Sequence, residues 1–302
     1  MTQTITVPAP AKLNLFLHIT SRRTDGYHEL QSIFQFVTLS DQLEFTLGKS
    51  LCSGTTPNIS IQVDASNSQF TAAMQEMQQL AQEDNIIFKA CQSLLSYAST
   101  PCDTAIKYQK NIPSGAGMGG GSSNAATTLL TLNKVWNCNL DMQKLADIGL
   151  TLGADVPIFI LGKTAFAEGV GEKLTPVTPR TPYYLIIKPQ VHINTAEIFS
   201  HPDLTRNTPT LTISAALEQG GHNDCENIVR SLYPEVDSAL KWLGQFKHAQ
   251  LTGTGACIFA EFDSLQQAQD IAKQYSDPSS IFIAQGMNEN PAHRVLLEQL
   301  NT

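Results

Sequence analysis

Nowhere in this chain do lysines and arginines gather. The 19 of them are scattered among 27 aspartates and glutamates, with only Arg22 and Arg23 adjacent, for a formal charge of −8 over 302 residues. A nucleic-acid surface needs a basic stripe to replace condensed counterions, so no nucleic-acid partner is expected. The six cysteines (Cys52, Cys91, Cys102, Cys138, Cys225, Cys257) include no CxxC pair and none at zinc-ligand spacing beside histidine, so no metal site is expected. They read as reduced, buried thiols of a cytosolic protein. No apolar run reaches the roughly 20 residues that span a bilayer. The beginning, "MTQTITVPAPAKLNLFLHI", lacks the basic stretch and apolar core of a secretion signal. The expectation is a soluble, cytoplasmic protein without a membrane partner. Repeats of solenoid period are also missing.

What remains open to such a chain is a small ligand. Local cations and backbone amides hold even a polyanion against an unfavourable global charge. The length suits two domains, and a chain of this size needs no disulfide or metal staple.

Alternating leucines in "KLNLFLHIT" and the similar "SIFQFVTLSDQLEFTL" predict strands through the first 47 residues, joined by a turn at Asp25-Gly26. "NISIQV" and "DTAIKYQ" read as further strands. Helices are expected over 71–98, with Asp84 or Asn85 at a start, over 123–136, and over 141–152 between Asp141 and Gly153. "TPVTPRTP" (175–182) punctuates the chain. After it come a strand "YYLIIKP", helices near 213–219 and 226–245, a strand–turn pair about "QLTGTGACIFAEF", a helix over 264–275, and a closing strand "SIFIAQG". Strands with helices gathered on one face give an α+β class.

The costliest stretch is "IPSGAGMGGGSSNAATTLL", with five glycines in the seven positions 115–121. Glycine loses the most backbone entropy on folding, so a run of them calls for a reason. A Walker loop would end in Gly-Lys-Ser/Thr, and no lysine is here. The dinucleotide fingerprint fits literally, from Gly115 through Gly117 to Gly120, with Asp141 at 21 residues' distance. That acid should end a second strand, yet Asp141 opens a helix pattern. A plain glycine turn explains one or two glycines, not five. The remaining reading is an anion cradle, in which backbone N–H groups and a helix start near Ser123 or Asn124 converge on phosphate, helped by the Ser122 and Ser123 hydroxyls.

"PSGAGMGGGSSNAA" resembles the phosphate-binding motif of the GHMP kinases, departing from it by an extra glycine and by Met118 for the usual leucine. The resemblance extends through "PAKLNLFLHI", "RRTDGYHELQSIFQ", "LGADVPIF", "AFAEGVGEKLTPV" and "LTGTGACIFAEF", in order and over nearly the whole chain. The doubled-glycine form is similar to the branch whose substrate is 4-diphosphocytidyl-2-C-methyl-D-erythritol. The resemblance implies a two-domain α+β GHMP kinase fold: a ribosomal-S5-like N-terminal domain over 1–165, which binds ATP, and a ferredoxin-like C-terminal domain over 166–302. It implies phosphorylation of that substrate's 2-hydroxyl, a step of non-mevalonate isoprenoid synthesis, with ATP as co-substrate and Mg²⁺ as its ion. Another GHMP kinase, acting on mevalonate, homoserine or a sugar, stays open, as does a non-catalytic module on the same fold.

Residue by residue, the resemblance makes Lys12 and Asp155 the catalytic pair. On pattern alone, Lys12 also reads as an edge-strand gatekeeper and Asp155 as a turn aspartate. Asn14, on the same strand face as Lys12, would bind the methylerythritol hydroxyls. Tyr27 and His28 would stack on and hydrogen-bond the cytosine, with Phe199 on its other face; otherwise the pair is a loop and Phe199 is core. The nucleotide would lie against Pro113, Ser114, Gly115, Ala116, Gly117, Met118, Gly119, Gly120, Gly121, Ser122 and Ser123, with Asn85 and Lys110 toward the adenine. "TGTG" at 252–255 would close on the phosphate loop, or simply turn a hairpin.

Overall fold

The computed structural model of the protein describes residues 3–52, 54–64, 81–277 and 279–300. Two long strands, β1 (Gln3–Arg22) and β2 (His28–Ser50), form an antiparallel ribbon. Their connection is set by Asp25, whose Oδ1 accepts from the Tyr27 N–H at 3.1 Å, and by Gly26 at φ +91°. β1 lies at a sheet edge, where the missing N–H groups of Pro8 and Pro10 cost no ladder bond. The β1–β2 register shifts between Pro10 and Ala11, and again between Asn14 and Leu17. These irregularities bracket Lys12 to Asn14, and such bulges re-aim side chains.

The ribbon seeds one sheet that runs through both halves of the chain. β3 (Ile59–Asp64) pairs in parallel with β4 (Cys102–Gln109), which pairs antiparallel with the far end of β2. β5 (Ala165–Glu168) adds to the near end of β2, and β6 (Lys173–Pro176) adds to β5. β7 (Tyr183–Lys188), β8 (Ala249–Leu251), β9 (Ile258–Phe262) and β10 (Ser280–Met287) complete it. The path runs β3-β4-β2-β10-β7-β9-β8, so the last strand is the one that joins the two halves. Gly286 and Met287 of β10 sit opposite Val37 and Phe36 of β2.

Helices cover each half. α1 (Ile86–Leu94), α2 (Gly120–Val135), α3 (Met142–Leu152) and α4 (Val156–Leu161) pack on the first, around Phe36, Phe45, Leu129, Trp136 and Phe159. α2 is central and buried on nearly every side, which its run of alanine, threonine and leucine allows. The second half carries α5 (Thr195–Ser200), α6 (Ile213–Gln219), α7 (Glu226–Leu232), α8 (Pro234–Leu243) and α9 (Leu265–Ala272). A separate core there gathers Leu185, Ile187, Ile198, Val229 and Leu240. A third cluster, with Leu13, Val37, Met118, Tyr184 and Phe259, joins strands of both halves to the glycine stretch.

The sequence expectations hold for the strands and caps. Asn85 accepts from Ile87 N–H at 2.9 Å and Asp141 from Lys144 N–H at 2.8 Å, each as a helix N-cap. Four points differ. α2 starts at Gly120, three residues before Ser123, because Gly119 in the left-handed region turns the chain directly into it. The helical stretch over 226–245 breaks at Tyr233, since Pro234 has no N–H to continue the first helix and opens a second. β10 does not close the chain: α10 (Pro291–Leu300) returns to pack on β1 and α2. The helix expected over 71–98 is confined to α1 and flanking 3-10 turns within 81–98, while positions 71–80 lie outside the described residues.

Leu296 of α10 is 1% exposed within the first core. Leu296→Ala should lower unfolding stability by about 2–4 kcal/mol, the usual range for truncating a buried leucine. A denaturant titration showing less than about 1 kcal/mol would mean that α10 is no part of that core.

Candidate active site

The site is built around Lys12. Its ammonium is buried, donates to Asn14 Oδ1 at 2.5 Å, lies 3.4 Å from Asp155 Oδ2, and sits 4.5 Å from the centre of the Phe34 ring. Lysine at this depth needs paired charge and hydrogen bonds, and it has both. The Asp155 side chain is 35% exposed against 4% for Lys12, so the carboxylate faces an open cleft while the ammonium supports it from beneath. Asp155 stands at the N-cap of α4 but makes no cap bond with its side chain, so its carboxylate is engaged by Lys12 and not by the helix start. The five residues that follow, Val156 to Ile160, are all buried and hold it in place. Asn14 is fixed on three sides, donating through Nδ2 to Ser32 Oγ at 3.0 Å and through its backbone N–H to Thr252 Oγ1 at 2.9 Å.

Above this pair runs the glycine stretch. A cleft of about 420 Å³ is lined by Asn85, Lys110, each residue from Pro113 to Ser122, and Asn124. That gathers all the expected nucleotide residues but Ser123, whose side chain is wholly buried in α2 instead of facing the cleft. Met118 contributes backbone only: its side chain is core, and its carbonyl accepts from Lys12 N–H at 3.0 Å. Two glycines are required by their surroundings. A Cβ at Gly117, where φ is +70°, would collide with the Thr252 carbonyl; one at Gly119, φ +69°, would lie 3.0 Å from the Phe159 ring and 3.3 Å from Lys12 Cγ. The "TGTG" stretch therefore does close on the loop, by backbone contact. The 16-residue α2 starts at the cleft, so its unpaired N–H groups and dipole favour an anion there.

Sequence reasoning missed what fixes the loop. Asp41, at the end of the first stretch of β2 and fully buried, accepts from Lys110 Nζ at 2.7 Å, Asn111 N–H at 2.7 Å, Ile112 N–H at 2.8 Å and Asn124 Nδ2 at 3.0 Å. One carboxylate thus binds the chain entering the loop and the helix leaving it. In the sequence Asp41 sits in "TLSDQL" and looks like any turn aspartate. Lys110 is correspondingly a buried ion-pair partner at the floor of the cleft.

The expected base-binding residues meet in part. The His28 and Phe199 rings stack at 5.3 Å between centres and 26° between planes. His28 is buried, whereas Tyr27 beside it is 65% exposed. Burial, then the nearby Arg206 and Arg22 charges, lower the His28 pKa below that of free histidine. A larger cavity, about 570 Å³, opens between α6 and the sheet beside Phe16, Tyr184 and Phe259, and none of the expected residues lines it.

An ion pair under an anion cradle, built from both halves of one sheet, defines a phosphotransferase of the GHMP class. The chain belongs to the GHMP kinase family: the profile described as GHMP kinases N terminal domain matches residues 85–163, and GHMP kinases C terminal matches residues 206–279. As a member of a kinase family it takes ATP as co-substrate. Its relatives carry a narrower name. The chain is 47% identical over 298 residues to the 4-diphosphocytidyl-2-C-methyl-D-erythritol kinase of Aliivibrio fischeri, covering 99% of this chain and 97% of the relative. It is 47% identical over 291 residues to that of Vibrio cholerae, covering 96% and 94%. A crystal structure of 4-(cytidine 5'-diphospho)-2C-methyl-D-erythritol kinase superposes with a TM-score of 0.73 at 28% identity, over 95% of this chain and 99% of that one. Methanococcus jannaschii mevalonate kinase shares the fold at a TM-score of 0.65 and 14% identity, over 95% and 99%.

Removing the charge at the hub should show its part in the loop. Asp41→Asn leaves the buried Lys110 ammonium without a counter-charge, a loss of about 3–5 kcal/mol by analogy with other broken buried pairs. Denaturant unfolding should show that loss, and KM for ATP should rise more than kcat falls. Unchanged stability and an unchanged KM for ATP would remove Asp41 from the account.

Proposed function

We propose that the chain transfers the γ-phosphoryl group of ATP to the 2-hydroxyl of 4-diphosphocytidyl-2-C-methyl-D-erythritol, giving the 2-phosphate and ADP, in non-mevalonate isoprenoid precursor synthesis. The observation that carries this reading is the contact of Lys12 with both Asn14 and Asp155 directly beneath the glycine loop. Phosphoryl transfer asks little covalent work of a protein: it needs in-line positioning and stabilisation of charge on the transferred group.

The triphosphate lies against the loop amides and the start of α2, with the adenine toward Asn85 and Lys110. Asp155 receives the hydrogen bond, and with it the proton, of the acceptor hydroxyl as that oxygen attacks phosphorus. Lys12 holds the carboxylate and offsets negative charge developing on the phosphoryl oxygens, a preorganised effect that is strong in a dry site. Asn14, held by Ser32 and Thr252, orients the methylerythritol hydroxyls. At the other end of the substrate the cytosine lies against the Phe199 and Tyr27 rings, with His28 on its edge. Support for the cytidine end comes from the stack of buried His28 on half-buried Phe199, which a small sugar or amino-acid acceptor would leave unused.

The hydroxyl of Ser122 and the carboxylate of Asp155 are hard oxygen donors that fit Mg²⁺, an ion which takes few protein ligands alongside water and phosphate oxygens. When bound with the nucleotide, it neutralises charge on the β- and γ-phosphates.

Asp155→Asn and Lys12→Ala should each lower kcat with the cytidine substrate by about 10²–10⁴, with much smaller effects on ATP binding. Titration of each variant with nucleotide separates the two. Turnover within a few-fold of the parent in either variant would exclude that residue from the mechanism.

A further inference from the structure

Arg206 lies in the loop between α5 and α6, far in sequence from β2, and yet it closes on His28. Its Nε–H donates to His28 Nε2 at 3.0 Å. Its Nη1 donates to the Leu204 carbonyl at 3.0 Å, and its Nη2 donates to the carbonyls of Phe199 at 2.9 Å and His201 at 2.8 Å. One guanidinium therefore holds the end of α5, which carries the Phe199 ring, against the ring of His28.

The chemistry of that contact is one-sided. A guanidinium has only donors and stays charged at any working pH, so His28 Nε2 must present its lone pair to it. The ring proton is then on Nδ1. Among the described residues His28 Nδ1 makes no hydrogen bond. The ring is neutral for the same reason, because a second proton could go only to the nitrogen that Arg206 occupies.

We propose that Arg206 is the positioning residue of the base pocket: it locks His28 in the Nδ1–H tautomer beside Phe199, so that the ring offers one N–H donor to a base edge that carries acceptors. Cytosine has two neighbouring acceptors, N3 and O2. The inference rests on the cytidine reading for its ligand, but the lock itself is a property of the free chain. Lysine in place of Arg206 would keep a charge and lose the planar fork that joins four acceptors in fixed geometry.

Two measurements test it. In the ligand-free protein labelled with ¹⁵N-histidine, long-range ¹H–¹⁵N correlations of His28, assigned with His28→Gln, should show a protonated Nδ1 and a bare Nε2. In Arg206→Leu the ring should move toward the Nε2–H form that free imidazole side chains prefer. In parallel, Arg206→Leu should raise KM for the cytidine substrate roughly 10- to 100-fold, as for a buried polar group left unmatched, with kcat and KM for ATP within about twofold. Arg206→Lys should fall between, and it carries the same readouts if the leucine variant does not fold. A proton found on Nε2 in the parent protein, or a KM for the cytidine substrate unmoved in the variants, overturns the proposal. Absence of any turnover with that substrate in the parent would instead refute the functional reading, while the tautomer still decides whether Arg206 locks the ring.

Discussion

A carboxylate with no exposure to water must be matched by donors, and Asp41 is matched by four. The geometry of the candidate site depends on that requirement. Two of the donors are backbone N–H groups of residues 111 and 112, just ahead of the glycines; another is the side chain of Asn124, just beyond them. A flexible, glycine-rich segment is therefore tied at both ends to a single atom group on β2. The loop keeps the backbone freedom of its glycines while both of its ends are tied to Asp41. Lys110 supplies the counter-charge, which leaves the floor of the cleft locally balanced instead of strongly basic. The positive field at the cleft comes chiefly from backbone amides and the start of α2.

From the loop the constraint passes to Lys12, Asn14 and Asp155. The Met118 carbonyl accepts from the backbone of Lys12, and Gly117 packs against the Thr252 carbonyl, whose own side chain accepts from Asn14. Loop, edge strand and "TGTG" stretch thus form one contact set, in which Gly117 is small because the Thr252 backbone is close and Gly119 because the Phe159 ring and the Lys12 side chain are. Irregular pairing of β1 with β2 flanks Lys12–Asn14, where the Lys12 ammonium meets both Asn14 and Asp155. β10, which joins the two halves of the sheet, and α10, which returns to β1, hold the two sides of the cleft in one framework.

Much of this was legible in the sequence, for identifiable reasons. Strands with alternating leucines, caps such as Asn85 and Asp141, and a glycine run are local signals, and local signals survive without tertiary information. Lys12 could be singled out because a lysine among leucines is costly unless paired. Asp41 and Arg206 could not be. Each is an ordinary residue in a polar stretch, and its meaning comes from partners about 70 to 180 positions away. The early start of α2 was hidden because glycines at 119–121 argue against helix by propensity, whereas here the left-handed Gly119 initiates it. Short helices such as α4 and α5 carry too few turns for a periodic pattern, although α4 is what places Asp155.

The central claim is that this cleft moves phosphate from ATP to a cytidine-bearing alcohol, and the choice of acceptor tests it most directly. The purified chain would be given ATP and Mg²⁺ with 4-diphosphocytidyl-2-C-methyl-D-erythritol, mevalonate, homoserine or galactose in separate reactions, followed by ³¹P NMR. The account predicts ADP and a new phosphomonoester signal with the cytidine substrate alone. A phosphomonoester formed only from one of the other three acceptors would contradict it.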